Sequence, residues 1–262
     1  MSNELTYASY LQIDDLLSLQ HPRSSPAEHD EMLFIVIHQA YELWFKQLIH
    51  EMEKVKLNFF ENEVFEAIHT FKRCRTIVKT LVGQVDILET MTPRSFSSFR
   101  DRLDKASGFQ SYQYRELEFF LGYKRGELIR HFKEGTKGRQ ILEKRLNEPS
   151  LVNAFYTLLE KYNFTIPEEL LNREVTEPNI PHEKVQDKLV ELYEIHPPLG
   201  ILFELMTDFD EGLQEWRYRH VMLVARTIGA KHGTGGSLGV EFLKRSLFLP
   251  VFADLWAIRH RF

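Results

Sequence analysis

The 262-residue sequence is poor in cysteine, with Cys74 as its one thiol. That excludes a disulfide framework and any thiolate-held metal cluster within one chain. Positive charge is not in excess either. The 33 Lys and Arg residues face 38 Asp and Glu, giving a formal net charge of -5 with no dense basic run. Binding nucleic acid through its phosphates needs the opposite balance, so no nucleic-acid partner is expected. Long apolar runs are missing: each is broken by charge well short of the roughly 18 residues a membrane span requires. The opening MSNELTYASYLQIDDLL is polar and acidic. It lacks the basic-then-apolar pattern of a signal peptide, so a cytoplasmic location is expected. No stretch alternates apolar and polar residues for long enough to suggest a strand.

What the sequence does have is helical periodicity and aromatic rings. There are 20 Phe, 10 Tyr and 3 Trp, side chains that fill cores and line flat apolar pockets. Ser25-Pro26-Ala27-Glu28 reads as a capping box with proline at the first helical position. The helix it predicts carries Phe34, Ile37, Tyr41, Phe45 and Leu48 at steps of three and four. Val64 to Leu88 repeats that pattern almost without fault. Thr92-Pro93 predicts a helix ending before Ser107-Gly108, and QSYQYRELEFFLG predicts another. Shorter helices are expected over 138–147, 150–162 and 182–195. After Pro197-Pro198 comes a long helix through RYRHVMLVARTIG, then the turn Gly233-Thr234-Gly235-Gly236-Ser237 and a last helix over about 240–259. Residues 164–181 form the one long loop-like stretch. The expectation is an all-α helical bundle in a single domain, 1–262.

Two of the 11 histidines sit inside strongly apolar helices. His38 shares a face with Phe34, Tyr41 and Phe45; His220 shares one with Leu213, Trp216, Leu223, Val224 and Thr227. A buried imidazole must find a hydrogen-bond partner or a metal, because an unpaired buried polar group costs about 1–3 kcal/mol. On position alone a core histidine satisfied by a hydrogen bond is the commoner explanation. A di-iron bundle needs two Glu-x-x-His units, and only Glu66-Ala67-Ile68-His69 fits. A single axial histidine is enough for a haem, whose porphyrin supplies four nitrogens. The Gly-rich turn lacks the Gly-Lys-Ser/Thr ending of a P-loop and follows a helix, which leaves a helix connector or a segment that orders over a ligand. Phe96 and Arg100, four apart, share a helix face. Arg100 there is either a carboxylate clamp or a surface arginine covering apolar carbon.

Together these segments resemble the tryptophan 2,3-dioxygenase family. The resemblance covers nearly the whole chain in order: TYASYL, DEMLFIVIHQAYELWFKQLIHE, SFSSFRDRL, ASGFQSYQYRELEFFLG, RYRHVMLVARTIG, KHGTGGSLGVEFL and FADLWAIRHRF. It implies helices around a b-type haem, and a dioxygenase that opens the indole C2–C3 bond of L-tryptophan with O2 to give N-formyl-L-kynurenine, the first step of the kynurenine route. By the same resemblance His220 is the axial iron ligand, His38 the distal histidine accepting the indole N–H, and Phe34 packs on the indole. Arg100 pairs with the substrate carboxylate beside Phe96, and Thr234 meets the ammonium together with a haem propionate. Ser107 and Gly108 lie near the oxygen and the haem edge. Tyr7 and Tyr10 belong to an N-terminal arm, 1–20, lent to a neighbouring subunit's pocket in a homotetramer. One departure stands out: Leu238 occupies a place where relatives often have a second serine. Two rivals remain at this point, a haem dioxygenase with another indole substrate and a non-catalytic helical sensor.

Overall fold

Thirteen α-helices and short 3-10 turns make up all the regular structure among the described residues of the computed structural model, 4–177, 179–234 and 239–262. In chain order they are α1 (Tyr7–Leu11), α2 (Ile13–Leu17), α3 (His29–Glu61), α4 (Val64–Leu88), α5 (Pro93–Arg100), α6 (Tyr112–Phe120) and α7 (Lys137–Asn147). There follow α8 (Leu151–Glu160), α9 (Glu168–Leu171), α10 (Glu183–Ile195), α11 (Pro197–Ile228), α12 (Val240–Lys244) and α13 (Ala253–Ala257). The all-α expectation holds. Four residues of the Gly-rich segment, 235–238, among them Leu238, lie outside the described residues.

The three long helices α3, α4 and α11 form the frame, with α4 between the other two. Its repeat explains this: Ile68, Phe71, Cys74, Val78, Leu81 and Val85 are all buried. Each such side chain is worth about 1.5–3 kcal/mol once removed from water. α3 and α4 run antiparallel because only Asn62 and Glu63 join them. Asn62 takes the left-handed conformation at φ 61° and its N–H closes the last turn of α3, a cap asparagine tolerates. On the other side α11 approaches α4 closely at Gly212, where a Cβ would lie 2.9 Å from Val78 Cγ1.

Several boundaries differ from expectation: α5 already ends at Arg100, α9 lies inside the expected loop 164–181, and two further ends differ most. The first long helix starts at His29, not at Pro26. Its entry is organised instead by Glu31, whose carboxylate accepts from the N–H groups of Arg23 (2.6 Å) and Ser24 (2.9 Å), while Ser24 Oγ accepts from Glu28 N–H. The last helix is broken: α12 ends at Lys244, Phe248 sits at φ 59°, and Pro250 precedes the short α13. A left-handed residue followed by proline cannot continue an α-helix. Buried carboxylates hold this segment instead. Asp210 of α11 accepts from Phe252 N–H (3.0 Å) and Trp256 Nε1–H (3.1 Å), and Asp254 accepts from His182 N–H (2.6 Å) and the Tyr156 hydroxyl (3.2 Å).

Candidate active site

A cleft opens beside the frame, lined by α3, α4 and α11 and walled by α5, by the loop from 103 to 111, by α6 and by the segment around α12. The resulting cleft holds about 1660 Å³ of space counted out to its open mouth, and most of its lining is apolar. Phe34, His38, Phe96, Arg100, Ser107, Gly108, His220 and Thr234 all line it. Residues nearly two hundred positions apart are thus brought to one place.

On α3, His38 is part-buried and its Nδ1 lies 2.7 Å from the carbonyl of Phe34, one turn earlier. Nδ1 must donate there, which leaves Nε2 as an acceptor. Burial pushes the pKa of His38 below its ordinary value, so the ring is neutral at pH 7. The Phe34 ring lies 4.1 Å from the His38 ring and within 6 Å of Phe96 and Phe99, in a cluster of tilted and edge-on rings. On α11, His220 is pushed down to about 4 by burial, with His38 and Arg115 adding to the effect. Its ring is parallel to that of Trp216, 5.3 Å away at an interplanar angle of 5°. It shares no hydrogen bond with a described residue, so a neutral imidazole with an uncommitted nitrogen faces the cleft. Of the two readings its position left open, the satisfied core histidine is the one the geometry disfavours. Among the described residues no three His, Cys, Asp or Glu side chains converge as a metal cage. An iron bound through His220 therefore needs further donors from a cofactor, and the broad apolar cleft fits a porphyrin.

At the mouth, Arg100 donates from Nη2 to the carbonyl of His232 (2.8 Å), and Thr234 Oγ1 donates to the carbonyl of Ala106 (2.5 Å). These bonds tie the start of the Gly-rich segment to the two walls beside it. Ser107 caps a 3-10 turn by accepting from Phe109 N–H (3.3 Å), and a side chain at Gly108 would project into open space.

A family model described as tryptophan 2,3-dioxygenase matches residues 1–193 and 190–261. A protein named tryptophan 2,3-dioxygenase from Herpetosiphon aurantiacus is 51% identical over 259 residues, which cover 99% of both chains. Proteins of that name from Anaeromyxobacter sp. and Bacillus anthracis are 46% and 40% identical, over 98% and 97% of this chain. The chain belongs to the tryptophan 2,3-dioxygenase family. It is accordingly an oxidoreductase.

Two of the expected site residues, Tyr7 and Tyr10, are expected to serve a neighbouring subunit's pocket and not that of their own chain. Tyr7 and Tyr10 of α1 are 77% and 70% exposed, and neither lines the cleft of their own chain. Conversely, the tryptophan 2,3-dioxygenase cleft has a wall that sequence reasoning missed. Arg115, Glu118 and Arg125 from α6 and its following turn meet Arg217 of α11 there. A signal for it was present: Arg115, Glu118 and Arg217 interrupt the apolar faces of YQYRELEFF and EWRYRHVML. A charge on a buried face has to be compensated by a partner from elsewhere in the chain, and the helical repeat does not say which.

Proposed function

We propose that this tryptophan 2,3-dioxygenase family member uses a b-type haem to cleave the indole C2–C3 bond of L-tryptophan with O2, giving N-formyl-L-kynurenine in the first step of the kynurenine route. The observation that carries the reading is His220, neutral and without a hydrogen bond to any described residue, in a large aromatic cleft shared with His38 and Arg100. His220 is the residue that would hold the iron, and bound haem would supply the activation of dioxygen. The chain's own residues bind and orient. His38 accepts the indole N–H at Nε2, its tautomer fixed by the Phe34 carbonyl. Phe34 and Phe96 hold the ring flat and exclude water. Arg100 pairs with the substrate carboxylate through the part of its guanidinium not committed to His232, and Thr234 meets the ammonium. Fixing both ends of the amino acid leaves the ring one orientation, which is the protein's main contribution to rate. Tryptamine, lacking the carboxylate, should bind more weakly because it forfeits the charge-assisted pair with Arg100.

The exposed tyrosines Tyr7 and Tyr10 support a homotetramer in which the N-terminal arm, 1–20, completes a neighbour's cleft. The single buried thiol Cys74 suits the cytoplasm. No described helix is long and apolar enough to cross a membrane. The test is anaerobic titration of the reduced, haem-loaded protein with L-tryptophan, followed in the Soret band, then exposure to oxygen. A saturable shift followed by N-formylkynurenine absorbance is expected. A shift without product would make the chain a sensor, and a protein that binds no haem would end the reading.

A further inference from the structure

The two rings that wall the cleft beside His38 do not stand alone. Phe34 of α3 and Phe96 of α5 are half-buried and line the cleft. Behind them lies Phe99, 0% exposed and no part of the cleft lining. Its ring centroid is 5.6 Å from that of Phe34 and 5.4 Å from that of Phe96, and the two lining rings are 5.7 Å from each other. Phe99 stands edge-on to both, at interplanar angles of 64° and 86°. At such separations and angles an aromatic pair gains more than burial alone supplies. The three rings close a triangle with two corners on the cleft and one in the core.

A phenyl ring with one side open to a cleft has little on that side to hold it. Its position is decided by what packs behind, because a close-packed interior yields little. Phe99 fills that place for Phe34 and Phe96 together. It is also the buried residue of α5, whose eight residues carry Phe96 and Arg100. Helical spacing explains the double duty: Phe99 follows Phe96 by three residues, so the two side chains are neighbours on the helix, and it immediately precedes Arg100. Phe34 in turn packs on His38, their ring centroids 4.1 Å apart. A retreat of Phe99 is therefore felt at both lining rings and, through Phe34, beside His38.

We propose that Phe99 sets the size of the pocket for the substrate's ring, as a positioning residue for Phe34 and Phe96 that touches no substrate itself. The inference rests on the reading of Phe34 and Phe96 as the wall against the indole. With Phe99 in place the wall cannot retreat, and a tryptophan carrying an extra methyl group on its benzene ring is turned away. A smaller side chain at position 99 leaves a void behind the wall, into which Phe34 or Phe96 can turn. Selectivity then relaxes although no residue lining the cleft has changed. A residue that only anchored α5 would behave differently, since its loss would weaken every substrate alike through Arg100.

The experiment measures kcat and KM of the haem-loaded full chain for L-tryptophan, 5-methyl-L-tryptophan and 6-methyl-L-tryptophan. One methyl group in an apolar pocket is worth about 10–200-fold in kcat/KM, so the parent should prefer L-tryptophan over both by at least about tenfold. In Phe99→Leu the preference over one or both should shrink roughly tenfold, mainly through KM of the methylated substrate, with kcat for L-tryptophan nearly kept. Phe99→Met, whose flexible chain fills part of the same space, is the second variant and should shift the preference the same way by less. Phe155→Leu is the control: that ring is 2% exposed and packs on Phe59, Phe203 and Phe252, none of which lines the cleft. It should lower Tm and leave the preference at the parent's value. A preference unchanged in both Phe99 variants, or a fall shared equally by all three substrates, overturns the inference. So does a parent that takes the methylated substrates as readily as L-tryptophan, or a preference that moves as far in Phe155→Leu. A parent that does not turn over L-tryptophan at all overturns the functional reading, and this inference with it.

Discussion

At the scale of single residues, the cleft is built from side chains whose charge state is set by burial. His220 and His38 are both kept neutral, the form in which one can ligate a metal and the other accept a proton donor. Arg100 is the reverse case, a permanent charge at the mouth. Replacing it by leucine should raise KM for L-tryptophan by roughly ten- to a hundredfold, with haem content unchanged, since a charge-assisted pair is lost. Steady-state kinetics on L-tryptophan and tryptamine check this. The preference between the two should collapse in Arg100→Leu, and a KM equal to the parent's would remove Arg100 from the clamp. Asp254 gives a pH signature away from the cleft. Burial raises its pKa from 3.8 to about 6. A raised folded-state pKa means the folded chain holds the proton more tightly. That contribution is full below pH 3.8 and is lost as pH rises through about 6. Asp254→Asn should therefore gain stability relative to the parent between pH 5 and 8, by up to about 3 kcal/mol. Denaturant melts at several pH values measure it, and a difference independent of pH would show that Asp254 does not titrate in that window.

At the scale of elements, the long helices α3 and α11 bring Phe34, His38 and His220 to the cleft, and the short α5 brings Phe96 and Arg100. α5 is eight residues long and carries both Phe96 and Arg100. Its start is fixed by Thr92, whose hydroxyl accepts from Ser95 N–H at 3.1 Å, with Pro93 at the first helical position. That signal was legible in the sequence because capping is local chemistry, complete within four residues. Thr92→Ala should cost about 1 kcal/mol and lower Tm by about 2–4 °C. It should also raise KM more than it lowers kcat, because a frayed α5 loosens Arg100. Calorimetry beside kinetics tests it, and a KM change without any fall in Tm would contradict the argument. The carboxyl end of the chain shows where local chemistry misleads. FADLWAIRHRF has helical composition, yet its conformation is set by Asp210 and Asp254, which reach it from 42 residues upstream and from within it.

At the scale of the whole molecule, the N-terminal arm is the element that the folded chain does not account for by itself. Neither α1 nor α2 has a buried residue, although Leu5, Tyr7, Tyr10, Leu11 and Leu17 are apolar or aromatic. Among its described residues the arm is pinned at its end, where Gln20 and Gln39 bond each other at 2.7 Å and Gln39 reaches the carbonyl of Leu19. Removing residues 1–12 should thus leave thermal stability and haem loading nearly unchanged while cutting turnover of L-tryptophan. Full turnover by the truncated protein would argue against an arm shared between subunits.

By itself the sequence determined what depends on neighbours along the chain: the helical period, the buried stripe of α4, the cap at Thr92, and the order of blocks that marks the tryptophan 2,3-dioxygenase family. It marked His38 and His220 as buried without deciding what satisfies them. A helical repeat says which face of an element is apolar, but not which element covers it or which charge lies opposite. His38 is satisfied locally, by a carbonyl one turn back on its own helix. For His220 only the tertiary structure decided: it lines the cleft with no hydrogen bond to a described residue. Arg115 and Arg217, about a hundred residues apart, become neighbours in one wall only because α6 and α11 close on the same cleft.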